Sequence, residues 1–137
     1  MKSPVKMFTG LCVLVGSILL VGCLLVAPQA SAQPKTLHDG VFTTEQANAG
    51  QAVYDRSCKN CHDMKFYENT LKSWNRQPLL YLWEAIMGTM PADNPGSMLF
   101  EEYTNVLAYI LSENGFPAGE VMLDPDHGMD QINIVSP

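Results

Sequence analysis

No cysteine follows Cys61, and the 137 residues hold only 4 Cys and 3 His. A structural zinc site wants four ligands. The only further thiol or imidazole downstream of His62 is the isolated His127, which counts against zinc. No strand pattern precedes Cys58, so the βαβ setting of a thioredoxin-like thiol pair is missing as well. Positive charge is also scarce. The chain has 8 Lys and Arg against 14 Asp and Glu, a net charge of −6, which disfavours nucleic acid and anionic membrane surfaces as partners. The scarcity is uneven, because Trp83 to Pro137 contains nine acids and no Lys or Arg.

The first 32 residues carry two lysines and no acid. Lys2 and Lys6 precede an uncharged apolar run from Phe8 to Val26, and Ala30-Ser31-Ala32 is a small-x-small cleavage site before Gln33. That order is the pattern of a secretory signal peptide over residues 1–32, which implies an exported, periplasmic protein. Two other fates fit the same segment. Leu20-Val21-Gly22-Cys23 is similar to a bacterial lipobox, in which Cys23 would carry a lipid anchor. The run 8–26 is also just long enough to remain as an uncleaved membrane helix.

Cys58-Lys59-Asn60-Cys61-His62 is the motif with a mechanism. Two thiols three positions apart, followed at once by histidine, form the attachment signature of c-type haem. Each thiol adds across one vinyl group of the porphyrin, so the sulfurs must lie a short fixed distance apart, and the next side chain must turn under the iron. Cys58 and Cys61 meet the first demand, and His62 supplies the proximal imidazole. A plain disulfide would leave His62 unexplained. One haem c per chain is therefore expected, and export agrees with it. With haem as a large part of the core, the apo chain is expected to fold poorly.

Helical signals surround the motif. Residues 33–42 read as a leader. Thr43-Thr44-Glu45-Gln46 fits a capping box, and Gly50, Val53, Tyr54 and Ser57 recur at helical spacing, so a helix should run from Thr43 into Cys58. Leu79 to Met87 is almost wholly apolar and predicts a buried helix. Pro91, Pro95 and Gly96 break residues 90–97 into a loop. Leu99, Tyr103, Val106, Leu107, Ile110 and Leu111 form a broad apolar stripe with Asn105 off it, stopped by Asn114-Gly115 and Pro117. The domain is expected over residues 43–115, with 116–137 as a C-terminal extension.

From Thr43 to Leu111 the chain resembles a class I cytochrome c. The resemblance implies an all-α fold, with N- and C-terminal helices crossing and haem in the core among short helices and loops. It assigns the helix crossing to Gly50 and Tyr54 on one side and to Val106 and Tyr109 on the other, with Gly50 letting the backbones approach. It also implies a distal methionine from a Met-Pro pair, here Met90-Pro91, with Met98 as the alternative. Met64 lies too close to His62, Met87 sits on a helix, and His127 lies in a polar tail. Trp74, Trp83 and Tyr81 are expected as haem walls, while a propionate bond from Trp74 or Arg76 is the less favoured reading. Residues 103–119 are further similar to the closing segment of small periplasmic cytochromes c found with quinoprotein dehydrogenases.

The expected function is electron transport, without catalysis of its own, by Fe(III)/Fe(II) cycling. A periplasmic dehydrogenase is the expected donor, and an oxidase or another cytochrome the acceptor. Alternatives are a haem sensor or small peroxidase with an open sixth position, and a fixed relay subunit of a respiratory complex. Arg56, Lys59, Lys65, Lys72 and Arg76 cluster near the motif, so the charge asymmetry is expected to orient the approach of a partner.

Overall fold

Thr43 lies in extended backbone and caps the helix that follows. Its hydroxyl accepts from the Gln46 N–H at 3.2 Å, and the Gln46 side chain accepts from the Thr43 N–H at 3.3 Å. With these end amides satisfied, α1 runs over Thr44–Ser57. The structure, a computed structural model, describes residues 35–136. The expected signal peptide, the Cys23 lipobox and the 8–26 anchor lie outside the described residues. No helix among the described residues is long and apolar enough to cross a membrane.

Between the Cys58–His62 motif and Leu79 the structure has a helix that the sequence pattern does not lead one to expect. Asp63 accepts from the Phe66 N–H at 2.8 Å and starts α2, Met64–Ser73, which buries Tyr67 and Leu71 at i and i+4. The short polar cap followed by this spacing is a helix signal. The expected Leu79–Met87 helix is α3, Leu79–Thr89. It is buried on one face only, since Leu79, Leu82 and Trp83 are enclosed while Tyr81 is 51% exposed. Pro91 clashes with helical backbone at the residue before it. Met90 accordingly sits at φ −123°, ψ 152°, and α3 stops there.

The last helix, α4, spans Phe100–Glu113. Leu99 has no side chain with which to cap it, but the Leu99 N–H donates to the Glu102 carboxylate at 3.0 Å, which is half of a capping box. Residues Tyr103 to Ala108 are all buried, Asn105 included. Asn105 is enclosed because α1 crosses directly over its backbone. A Cβ on Gly50 would stand 1.9 Å from the Asn105 carbonyl oxygen and 2.9 Å from the Tyr109 Cβ. The expected crossing through Gly50 is thus a backbone contact that only glycine permits.

The segments on either side of residues 43–115 pack into the same core. Leu37, Val41 and Phe42 are buried before α1, and Leu123, Met129, Ile132 and Ile134 after α4. Strands β1 (Lys35–Thr36) and β2 (Ile132–Asn133) pair in parallel. Buried Gln46 also clamps the tail, since its amide nitrogen donates to the Leu123 carbonyl at 2.8 Å and its oxygen accepts from the Leu123 N–H at 2.7 Å. Past α2, Arg76 takes a left-handed φ of 69°, which turns its N–H onto the Ile134 carbonyl at 2.8 Å.

Two substitutions probe this arrangement in chemical denaturation of the holoprotein. Gly50→Ala forces α1 off the α4 backbone and is expected to cost about 3 kcal/mol or more. Gln46→Ala removes both bonds to Leu123 and a cap acceptor, and is expected to cost about 2 to 4 kcal/mol.

Candidate functional site

The Cys58–His62 segment is held at both ends by helix termini. Cys58 is the C-cap of α1, its N–H donating to the Tyr54 carbonyl at 2.9 Å, and Asp63 is the N-cap of α2. Between them the chain turns tightly, with the Cys61 and His62 N–H groups donating to the Cys58 carbonyl at 3.1 and 3.0 Å. Tyr54 adds a longer tie, its hydroxyl donating to the His62 carbonyl at 2.7 Å. The aromatic four residues before the first cysteine therefore does more than fill the core.

The His62 ring stacks on Phe66 at 4.2 Å with the planes 27° apart, and meets Tyr67 edge-on at 5.6 Å. Both rings belong to α2, the helix not expected from the sequence pattern. Aromatic contact, rather than a hydrogen bond, orients the imidazole among the described residues. Burial pushes the Cys58 thiol and, more strongly, the Tyr67 hydroxyl above their ordinary pKa values. Cys61 is exposed.

A cavity of about 700 Å³ opens beside this turn, lined by Cys58, Cys61 and His62 and, across the fold, by Met90 and Met98. Its volume lies within the ordinary range for cofactor sites, about 300 to 1,000 Å³. Leu82 and Ile86 of α3 and Val106 and Ile110 of α4 supply apolar walls, and Arg56, Thr70 and Asn94 bring polar atoms to it. Two thiols, an imidazole, two thioethers and apolar walls in one space fit a covalently held haem. Met64 and Met87 are not in the lining. His127 is exposed and bonded to Asp124 at 2.7 Å.

The expected aromatic walls are corrected in part. Trp74 lines the cavity, but Trp83 and Tyr81 do not. Trp83 is enclosed between α3 and α4, its indole N–H donating to the Thr104 hydroxyl at 3.1 Å and its ring 5.0 Å from Phe100. Arg76 is also absent from the lining, whereas Arg56 is part of it. Apolar periodicity does not tell which face of a buried helix meets a cavity and which meets another helix.

The loop after α3 is tied to α4. Tyr103, 1% exposed, donates its hydroxyl to the Met90 carbonyl at 2.8 Å and accepts from the Met98 N–H at 3.5 Å. In the sequence Tyr103 is simply one member of an apolar stripe, and nothing there signals this role. The Met90–Pro91 peptide bond is cis.

Most cations near the motif are already paired. Arg56 bonds Glu102 at 2.8 Å, Lys59 bonds Asp55 at 2.9 Å, and Lys72 bonds Glu68. The Leu99 N–H and then Arg56 hold the Glu102 carboxyl below its usual range. Lys65 and Arg76 have no ion pair among the described residues. The positive end of the expected charge dipole is therefore weaker than a count of lysines implies.

Four helices among the described residues, a motif clamped between the first two, and a cavity lined also by two methionines make an all-α cytochrome c fold. Residues 45–110 match the family model described as cytochrome C oxidase, cbb3-type, subunit III, a match that supports a class I c-type cytochrome. Its cofactor is covalently bound haem c, and Cys58 and Cys61 lie where the attachment motif is expected. No curated protein and no solved structure matches the chain.

The two tryptophans separate wall from core. Trp83→Phe, which loses one buried hydrogen bond, is expected to cost about 1 kcal/mol of stability and leave the visible haem spectrum unchanged. Trp74→Ala is expected to shift that spectrum, because it opens the cavity.

Proposed function

We propose that this protein is a periplasmic electron carrier, with haem c tethered by thioethers to Cys58 and Cys61, His62 as proximal ligand of the iron and Met90 as distal ligand. The observation that carries this reading is the cavity shared by the motif and by Met90, two segments far apart in the chain. Haem c supplies the Fe(III)/Fe(II) couple, whose potential a soft, neutral thioether raises relative to a second imidazole. The chain's own tasks are to exclude water with Leu82, Ile86, Val106 and Ile110, and to hold His62 through Tyr54, Phe66 and Tyr67. Met98 is the alternative distal ligand. The charged start, apolar run and small-x-small site of residues 1–32 support export.

A periplasmic dehydrogenase as donor, and an oxidase or second cytochrome as acceptor, fit the similarity of residues 103–119 to cytochromes that work with quinoprotein dehydrogenases. A second reading, a fixed relay in a respiratory complex, is favoured by the matching family's description as an oxidase subunit. Purification in a stoichiometric complex, with no redox exchange by the free protein, would select it.

Replacing Cys58 and Cys61 together by Ala is expected to leave haem extractable by acid organic solvent and the chain poorly folded. Met90→Ala is expected to abolish the thioether-specific absorption band of the ferric protein and lower its potential, while Met98→Ala leaves both in place. An already open sixth position, as in a sensor or peroxidase, would make Met90→Ala nearly silent. Among the lysines, Lys65→Gln is expected to slow transfer to the partner at low salt, on the order of twofold, and the paired Lys59 and Lys72 to matter less.

A further inference from the structure

Tyr103 stands at the base of the loop that carries both candidate thioethers. Its ring is buried, and its hydroxyl is the point where two loop ends meet. It donates to the Met90 carbonyl at 2.8 Å and accepts from the Met98 N–H at 3.5 Å. The Gly96 N–H also donates to that Met90 carbonyl, at 3.3 Å, and the Met90 N–H is held by the Ile86 carbonyl at 2.8 Å. The loop is otherwise bonded mainly to itself, through Asn94 N–H to Pro91 carbonyl at 3.0 Å and Ser97 N–H to Asn94 carbonyl at 3.3 Å. Tyr103 is thus its side-chain link to α4.

From this geometry we infer that Tyr103 is a positioning residue that latches the Met90–Met98 loop over the haem cavity, and so limits how readily an external ligand displaces the distal thioether. The inference rests on the proposed methionine ligation. With haem bound, an incoming imidazole would have to take the place of the Met90 thioether as ligand, so the Met90 side chain would have to leave the cavity it lines. Met90 has its backbone pinned on both sides, so its departure opens the loop and separates the Met90 carbonyl from the Tyr103 hydroxyl. The bond exists in the closed state only, and its free energy therefore enters the opening equilibrium. Apparent affinity for the incoming ligand scales with the fraction of open molecules. A buried hydrogen bond of ordinary net strength corresponds to about fivefold to tenfold in that fraction.

The test is imidazole binding to the ferric holoprotein, read from the visible spectrum. Tyr103→Phe keeps the ring and removes the latch. It is expected to retain the thioether band without imidazole and to bind imidazole about fivefold to tenfold more tightly. Trp83→Phe is the control for general destabilisation and should leave the affinity unchanged. Unchanged affinity in Tyr103→Phe, or an equal gain in Trp83→Phe, overturns the latch. Met90→Ala tests the ligand assignment separately. A band that survives there and disappears in Met98→Ala removes Met90 as ligand, and leaves the imidazole result to judge Tyr103, from which Met98 also hangs. Should Tyr103→Phe fail to assemble, amide exchange in the unmodified holoprotein takes its place. The Met98 and Gly96 amides are expected to lose protection when imidazole binds, and unaltered protection overturns the proposal.

Discussion

Where a side chain on Gly50 would stand, the structure has the carbonyl oxygen of Asn105. Helices α1 and α4 therefore cross at backbone distance, and the geometry of the site is set by what each carries near that point. On α1, Tyr54 lies one turn beyond the crossing and holds the His62 carbonyl. On α4, Tyr103, Val106 and Ile110 fall at i, i+3 and i+7 and share a face. The last two wall the cavity, and the first holds Met90 from behind. One helix thus supports the far side of the cavity and, through α1, the near side. A larger residue at Gly50 would separate the two halves of the site as well as loosen the core.

The other side of α4 is covered by the flanks of the chain. Leu37 and Phe42 before α1, and Leu123, Met129, Ile132 and Ile134 after α4, join Leu79, Leu107 and Leu111 in the larger apolar cluster. These flanking residues lie outside the stretch matched by the family model, residues 45–110. The smaller cluster, Val53, Tyr54, Tyr67, Val106 and Ile110, lies on the haem-motif side. The domain consequently has one apolar region completed by its own chain and another that borders the cavity through Val106 and Ile110. Gln46 links the capping of α1 to the tail, so the start of the first helix and the closing segment are fixed by one side chain.

Electrostatics play a smaller part than the composition suggests. Pairs such as Lys59 with Asp55 and Lys72 with Glu68 are exposed, screened by salt, and worth little in stability. Their main effect is to neutralise cations that would otherwise lie around the haem motif. What remains of the asymmetry is a chain without Lys or Arg from Trp83 onward, a field that acts on encounter rates more than on the fold.

Chemistry that depends on neighbours in the chain was legible in the sequence. The spacing of Cys58, Cys61 and His62 named the cofactor, Thr43 and Gln46 marked the start of α1, and the pattern of Leu99 to Leu111 marked α4. Pro91 marked the end of α3, since it bars helix at the residue before it. Each of these rests on interactions within about one helical turn. Asp63, Tyr67 and Leu71 gave an equally local signal for α2 that the intervening polar residues masked. Tertiary structure decided which faces meet. Trp74 borders the cavity while Trp83 is spent on Thr104, Asn105 is buried because a glycine crosses it, and Tyr103 turns from core filler into a tie on the methionine loop. No local pattern encodes these outcomes, because each needs a partner from a distant segment, delivered only when α1 and α4 have crossed.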